Sequence, residues 1–172
     1  MSTVMANPAR ALWEVVQRQL ITETLQDYCH FVDRNDPAGI VEHVFCTDGA
    51  FELGARHAVI GHEQLMLMFA KTLAPFAMTS HHLSHVRIRF SGDDSADSTA
   101  YVYAWHIAAA DGKRIDLWGR YRDRLRLTPV GWRIASRRLT VAGSDGWDDP
   151  PFDLSERLPN PVNPPSPRIT RC

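Results

Sequence analysis

The sequence predicts an α+β domain in which helices cover one face of a curved antiparallel sheet. Two observations carry that prediction. Helical periodicity is confined to the first 75 or so residues, after which every periodic segment alternates like a strand, and helices followed by a run of strands is the α+β order. The stretch RIDLWGRYRDRLRLTPVGWRIASRRL, residues 114–139, then reads as two long strands joined by a turn. In its first half Leu117, Gly119, Tyr121, Asp123, Leu125 and Leu127 share one face, and Trp118, Arg120, Arg122, Arg124 and Arg126 share the other, the period-2 pattern of a half-buried strand. Thr128, Pro129, Val130 and Gly131 break the pattern as a hairpin connection should.

The elements follow in order. From about Arg10 to Val32, residues Ile21, Leu25, Tyr28 and Val32 fall at helical spacing and form an apolar stripe. Asp36 is placed as an N-cap and Pro37 at the first position of a short second helix. Ala50 to Ile60 reads as a short strand pair, or a strand and a turn. Gly61 precedes a third helix, HEQLMLMFAKTL, which stops before Pro75. Strands are expected at about Thr79–Phe90 and Ser98–Ala109, with SGDDSAD and AADGK supplying the Gly and Asp that tight turns need. The domain is expected to span residues 1–148. Seven of the eleven prolines fall in residues 149–172, a tail expected to be an extended arm or disordered, since proline suits neither a central strand nor a helix interior.

Composition narrows the partners. A net charge of −1 predicts no general attraction to nucleic acid or to an anionic membrane, and no run is long and apolar enough to span a bilayer. The N-terminus lacks the apolar core of a signal peptide, so a cytoplasmic protein is expected. Cys29, Cys46 and Cys172 are too few and too scattered for a disulfide framework or a zinc site. The motifs of nucleotide binding and of the common hydrolases, GxGxxG, the Walker loop, GxSxG, HExxH and CxxC, are absent.

The densest group of reactive residue types is Ser80, His81, His82, Leu83, Ser84 and His85, at the start of a strand. On a regular strand His81 and His85 stand about 13 Å apart, too far to share a metal ion, and His82 points to the other face. A histidine there suits general-base chemistry, because imidazole titrates near neutrality; a strand-capping or solvated histidine is the plain alternative. Asp33 falls about 120° from the centre of the first helix's apolar stripe, near a C-terminus where the helix dipole disfavours a carboxylate, and a polar turn residue is its plain reading.

Helix one with YCHFVDRND, the segment from Gly61, the TSHHLSHVRIRF strand, GRYRDRLR and GWRIASRR together resemble the SnoaL-like branch of the nuclear-transport-factor-two-like superfamily, over about residues 10–142. The resemblance implies a cone: a strongly curved antiparallel sheet wrapped around about three N-terminal helices, enclosing a pocket. It also implies a cofactor-independent lyase that performs β-elimination, with dehydration favoured, in which His81 is the base and Asp33 its partner. Tyr28 and Arg137 fall on the remaining polar positions of that family, with His82 replacing His81 if the register slips by one. Non-catalytic ligand-binding or small-subunit modules and polyketide cyclases share the fold and stay open as alternatives.

A bulky apolar or polycyclic substrate is expected, touched by His82, Tyr121, Trp105, Met66 and Phe69, with no metal, no cofactor and a homodimeric or homotrimeric assembly. Simple alternation raises one difficulty. It puts His82, not His81, on the face of Val86, Ile88 and Phe90, and sets Arg137 opposite to Trp132 and Ile134, so a bulge or a two-sided use of the sheet is required.

Overall fold

The computed structural model describes residues 7–54, 57–147 and 150–156. Helix α1 spans Pro8–Asp33. The Asn7 side chain accepts a hydrogen bond from the Ala9 amide at 3.0 Å, and Pro8 fills the first turn, where its missing N–H costs nothing. The second half of α1 packs inward through Ile21, Leu25, Tyr28 and Val32, while Leu12 and Val15 in the first half stay exposed. Asn35, in the left-handed region at φ 52°, turns the chain into α2 (Pro37–His43), whose Asp36 cap accepts from the Gly39 amide at 2.9 Å. Helix α3 (His62–Leu73) buries Leu65, Phe69 and Leu73.

The strands are β1 (Phe45–Glu52), β2 (Ala58–Ile60), β3 (Phe76–Phe90), β4 (Ser95–Ala108), β5 (Arg114–Thr128), β6 (Gly131–Asp145) and β7 (Asp153–Leu154). Their order is β2-β1-β6-β5-β4-β3, with β7 also on β6. The predicted hairpin is there, with Thr128 paired to Gly131. The sheet is mixed, however, and not purely antiparallel. Strand β1 joins β6 in parallel along residues 134–138, and β7 joins it in parallel at Thr140 and Val141, so the two follow one another along the edge of β6 that β5 leaves free. Sequence alternation is silent about this because parallel partners carry no turn between them.

Part of the tail is therefore structured. Residues 150–156 return along β6, held by the Arg138–Asp153 ion pair, the Thr140–Ser155 hydroxyl contact and the Ser155 amide on the Val141 carbonyl. The remainder of the predicted tail, with Cys172, lies outside the described residues.

Two bulges resolve the parity difficulty. Ser84 pairs with Tyr101 but Arg87 with Thr99, so β3 holds one extra residue, and His85 sits at φ 51° inside the irregularity. Before it His81 and Leu83, and after it Val86, Ile88 and Phe90, thus share the inner face. In β6, Leu125 pairs with Ile134 but Arg124 with Ser136, leaving Ala135 as the extra residue. Trp132 and Ile134 before it, and Arg137, Leu139 and Val141 after it, all turn inward and are buried. The core forms between this inner face and the three helices, and Trp132 ties the two together: its Nε1 donates to Gln17 Oε1 at 2.8 Å and its carbonyl accepts from Thr24 at 3.2 Å.

Candidate active site

Strand β3 is an edge strand, so alternate amides along it have no sheet partner and must find one elsewhere. Helix α1 supplies partners. Its last residue, Asp33, accepts from the His81 amide (2.9 Å), the His81 imidazole Nδ1 (2.7 Å) and the Thr79 hydroxyl (2.9 Å). Further along, Arg18 donates to the Ile88 carbonyl at 2.7 Å. A carboxylate at a helix C-terminus is unfavourable by itself. Here burial pushes the Asp33 carboxyl up, but the hydrogen bonds and charge of His81, with help from Thr79, outweigh it and hold the group below the usual range. Because the carboxylate can only accept, His81 Nδ1 carries the proton, which leaves Nε2 as the basic nitrogen of a side chain that is 8% exposed and lines a cavity.

That cavity, about 100 Å³, is walled mainly by rings and aliphatic chains: Phe51, Phe69, Phe76, Tyr28, Tyr121 and Leu117 among them. The cavity opens to the surface, so its volume leaves the size of the substrate open. The lining residues that carry polar side-chain groups are His81, His106, Tyr28, Tyr121 and Thr72. Of the expected residues, Tyr28, His81, Tyr121 and Phe69 line it and Asp33 reaches it through His81.

Three expected pocket residues lie elsewhere. His82 and Trp105 have outward parity in β3 and β4, where His82 stacks on Tyr103 at 5.9 Å between ring centroids. Met66 is 39% exposed on α3, and Met68 lines the cavity in its place. Arg137 is fully buried but does not line the cavity; its guanidinium lies 4.1 Å from the ring centroids of both Tyr28 and Tyr121, which do. Asp123 grips it through Nε–Oδ1 at 2.8 Å and Nη2–Oδ2 at 2.9 Å. Burial works against the Arg137 charge, yet Asp123 more than compensates and holds its pKa above the ordinary value. Its third nitrogen, Nη1, is buried with no hydrogen-bond partner among the described residues. Cys29 is buried beside this group, and burial pushes its thiol up to about 12, which makes it a poor nucleophile.

His106, Trp147 and Phe152 complete the cavity and were not anticipated. In β4 the small residues Ala96, Ser98, Ala100, Val102 and Ala104 alternate with Tyr101, Tyr103 and Trp105, and the small side faces inward. His106 belongs to that inward parity, which was its only signal. Its ring meets His81 edge to face at 5.4 Å, and its Nδ1 donates to the Ile115 carbonyl at 3.3 Å. Burial, then repulsion from His81, pushes His106 down to about 4, so it is neutral at pH 7.

A stability consequence follows from that depressed pKa. Between pH 6.5 and 4 the unfolded chain binds a proton at His106 that the folded chain does not, so stability rises with pH across this window. Acidifying from 6.5 to 4 should therefore cost on the order of 2 kcal/mol, measurable as a falling Tm. His106→Gln should flatten that fall. The Asp33 contribution lies below it, since a depressed carboxyl loses its stabilisation only as pH falls through its folded pKa, under 3.8. Among the described residues no three His, Cys, Asp or Glu side chains converge as metal ligands, and no helix is long and apolar enough to cross a membrane.

A curved sheet capped by three helices around an aromatic pocket defines a protein of the nuclear-transport-factor-2-like fold class. Residues 13–138 match the model of the SnoaL-like domain, and the chain belongs to that family. No curated protein matches the sequence. Among solved structures, a Novosphingobium aromaticivorans protein provisionally named a scytalone dehydratase superposes with a TM-score of 0.81 at 20% identity, covering 87% of this chain and 99% of that one. A second protein of that organism, provisionally named an aromatic ring hydroxylase, gives 0.72 at 25% identity, covering 80% and 97%. A type 2 hexachlorocyclohexane dehydrochlorinase gives 0.72 at 14% identity, covering 89% and 99%. Such low identities establish shared fold.

Proposed function

We propose that this chain is a cofactor-independent lyase that performs β-elimination, by preference dehydration, on a small apolar molecule. The observation that carries the reading is the 2.7 Å contact between Asp33 and His81 Nδ1 at the wall of an aromatic cavity. His81 Nε2 removes a proton from the carbon beside a carbonyl, and the C–H electrons move onto the carbonyl oxygen as an enolate. They then return to form the C=C bond as the C–O bond on the neighbouring carbon breaks, and the imidazolium gives its proton to the departing hydroxyl, which leaves as water. Asp33 fixes the tautomer and stabilises the imidazolium as it forms. Tyr28, whose phenol burial pushes up to about 12, stays protonated near neutrality and donates a hydrogen bond to developing negative charge on oxygen. His106, neutral at pH 7, is a second polar contact for substrate.

The ring-lined wall favours an apolar, ring-bearing molecule that carries a hydroxyl and a carbonyl. Of the structural relatives, the dehydrochlorinase has a name that denotes an elimination, which supports this class of reaction on this fold. The test is water loss from a panel of ring-bearing β-hydroxy ketones by the unaltered chain and by His81→Ala; equal turnover in the two rejects the reading.

The outer sheet face is proposed to meet further copies of this chain. Tyr101 and Trp118 are 45% and 46% exposed there, and Tyr103 stacks on Trp118 at 5.8 Å, a continuous aromatic surface of the kind that subunit contacts cover. Light scattering is expected to give two or three times the 19.4 kDa chain mass, reduced by Trp118→Glu. A monomeric mass at micromolar concentration rejects the assembly.

A further inference from the structure

The bulge that turns His81 inward has a second effect on the other side of the sheet. Ser84 and His85 are both exposed there, because the extra residue of β3 breaks the alternation. His85 holds a left-handed backbone at φ 51°, a conformation that is costly for a residue with a Cβ. Its ring lies 5.0 Å from that of Tyr101, and the Arg120 guanidinium lies 4.9 Å from the centre of the same phenol. One outward ring thus orients an imidazole and a cation.

Beside them runs a row of arginines. Thr99 pairs with Arg87 on one side and with Arg122 on the other, and Arg122 pairs in turn with Arg138. Neighbouring strands stand about 4.8 Å apart and alternate residues about 7 Å along a strand, so the long side chains of Arg87, Arg120 and Arg122 rise around Thr99. Together His85, Arg87, Thr99, Tyr101, Arg120 and Arg122 line one depression on the outer face. No carboxylate lines it, and among the described residues none of its three arginines makes an ion pair. Elsewhere arginines are matched: Arg10, Arg18, Arg114, Arg126, Arg137 and Arg138 each have an acid. Asp97, the acid of the next row, stands between Arg89 and Arg124. Like charges facing one another across strands destabilise a sheet, and a chain of net charge −1 gains nothing in solubility from gathering them here.

We propose that Arg87, Arg120 and Arg122, with His85 and Thr99, form a binding site for a phosphate dianion, either inorganic phosphate or the phosphate of a small phosphomonoester. Guanidinium forks match the oxygens of a tetrahedral oxyanion in pairs, and the Thr99 hydroxyl and an imidazole N–H add single donors. The site lies on the sheet face opposite to His81, so it stands or falls separately from the elimination reading. Tyr101 borders both this site and the aromatic surface proposed to join copies of the chain, and a bound dianion offsets the charge that two such faces would bring together.

Calorimetric titration of the full chain at physiological ionic strength tests this, with inorganic phosphate and phenyl phosphate as the probes. One phosphate per chain is expected, with a matching rise in Tm. Arg87→Gln and Arg122→Gln should each weaken binding at least about tenfold, the size of a charge-assisted hydrogen bond. Arg120→Lys should weaken it nearly as much, because an ammonium keeps the charge and loses both the fork and the stacking. Arg124→Gln removes an equal charge from the same face but outside the depression, and screening should hold its effect within about threefold. Every substituted side chain stands on the outer face, and each variant is expected to keep the wild-type circular dichroism.

Tighter binding of phenyl phosphate than of phosphate identifies a phosphomonoester site, and equal binding identifies a site for the free ion; either supports the proposal. Three results would overturn it. The first is no saturable binding at millimolar phosphate. The second is a loss in Arg124→Gln as large as in Arg122→Gln, the behaviour of a diffuse basic surface. The third is a single-stranded oligodeoxynucleotide that binds more tightly than either probe and is weakened by Tyr103→Ala, the behaviour of a polynucleotide surface that stacks bases on the outer rings.

Discussion

His81→Ala is expected to lower elimination turnover by about 10²–10⁴-fold, the usual contribution of a positioned general base, with a much smaller change in KM. The split between the two parameters matters because the imidazole is one small part of a mainly apolar wall. Losing it removes the proton acceptor and leaves the binding surface of Phe51, Phe69 and Phe76 in place. Asp33→Asn tests the same machinery from behind. An amide can present its NH₂ to Nδ1, which drives the ring proton onto Nε2 and leaves the base in the wrong tautomer. Turnover should fall although the side chain has kept its shape. The two changes should also be strongly non-additive, because the carboxylate acts only through the imidazole. A His81→Ala variant that is folded by circular dichroism and turns over normally would remove His81 from the chemistry altogether.

How much of this was legible in the sequence depends on whether the feature is local. The helices announced themselves through period and caps, Asp36 and Pro37 above all, because a cap and its helix are neighbours in the chain. The β5–β6 hairpin did so through alternation and its Thr128–Gly131 turn. Register did not. Counting outward from that turn puts Arg137 opposite Arg122, a like-charge pair; the single extra residue at Ala135 moves Arg137 opposite Asp123. Likewise, uninterrupted alternation in β3 turns His81 away from the face of Val86 and Ile88, and only the irregularity at His85 returns it. A bulge at a histidine or an alanine has no glycine to betray it.

Side-chain size misled in a different way. Trp105 is expected in the pocket, yet the small residues of β4 are the buried ones because that face lies on the packed interior, while Tyr101, Tyr103 and Trp105 have the outward parity. His106 was hidden by the same inversion. Strand β7 was invisible because two residues between prolines carry no period at all.

The Arg137–Asp123 pair should dominate stability as His81 should dominate turnover. Removing one partner leaves the other as an uncompensated charge where neither side chain touches solvent, and Arg137→Ala or Asp123→Ala is expected to cost about 3–5 kcal/mol. The arginine change also strips the cation from between Tyr28 and Tyr121 and opens a void behind the cavity wall, so it should be the costlier of the two. Taking both charges away together is a different experiment. Asp123→Leu/Arg137→Met replaces an ion pair and an unsatisfied Nη1 with apolar volume, and most of the loss should be recovered. Urea unfolding checks this through the midpoint at constant m. If each alanine variant costs less than about 1 kcal/mol, the charges are hydrated in solution and the fork does not hold the tyrosines. If the singles are costly and the double is not, the pair contributes little net stability, and its place in the core is explained by what it holds: two phenols, face on, at the edge of the cavity that His81 enters from the other strand.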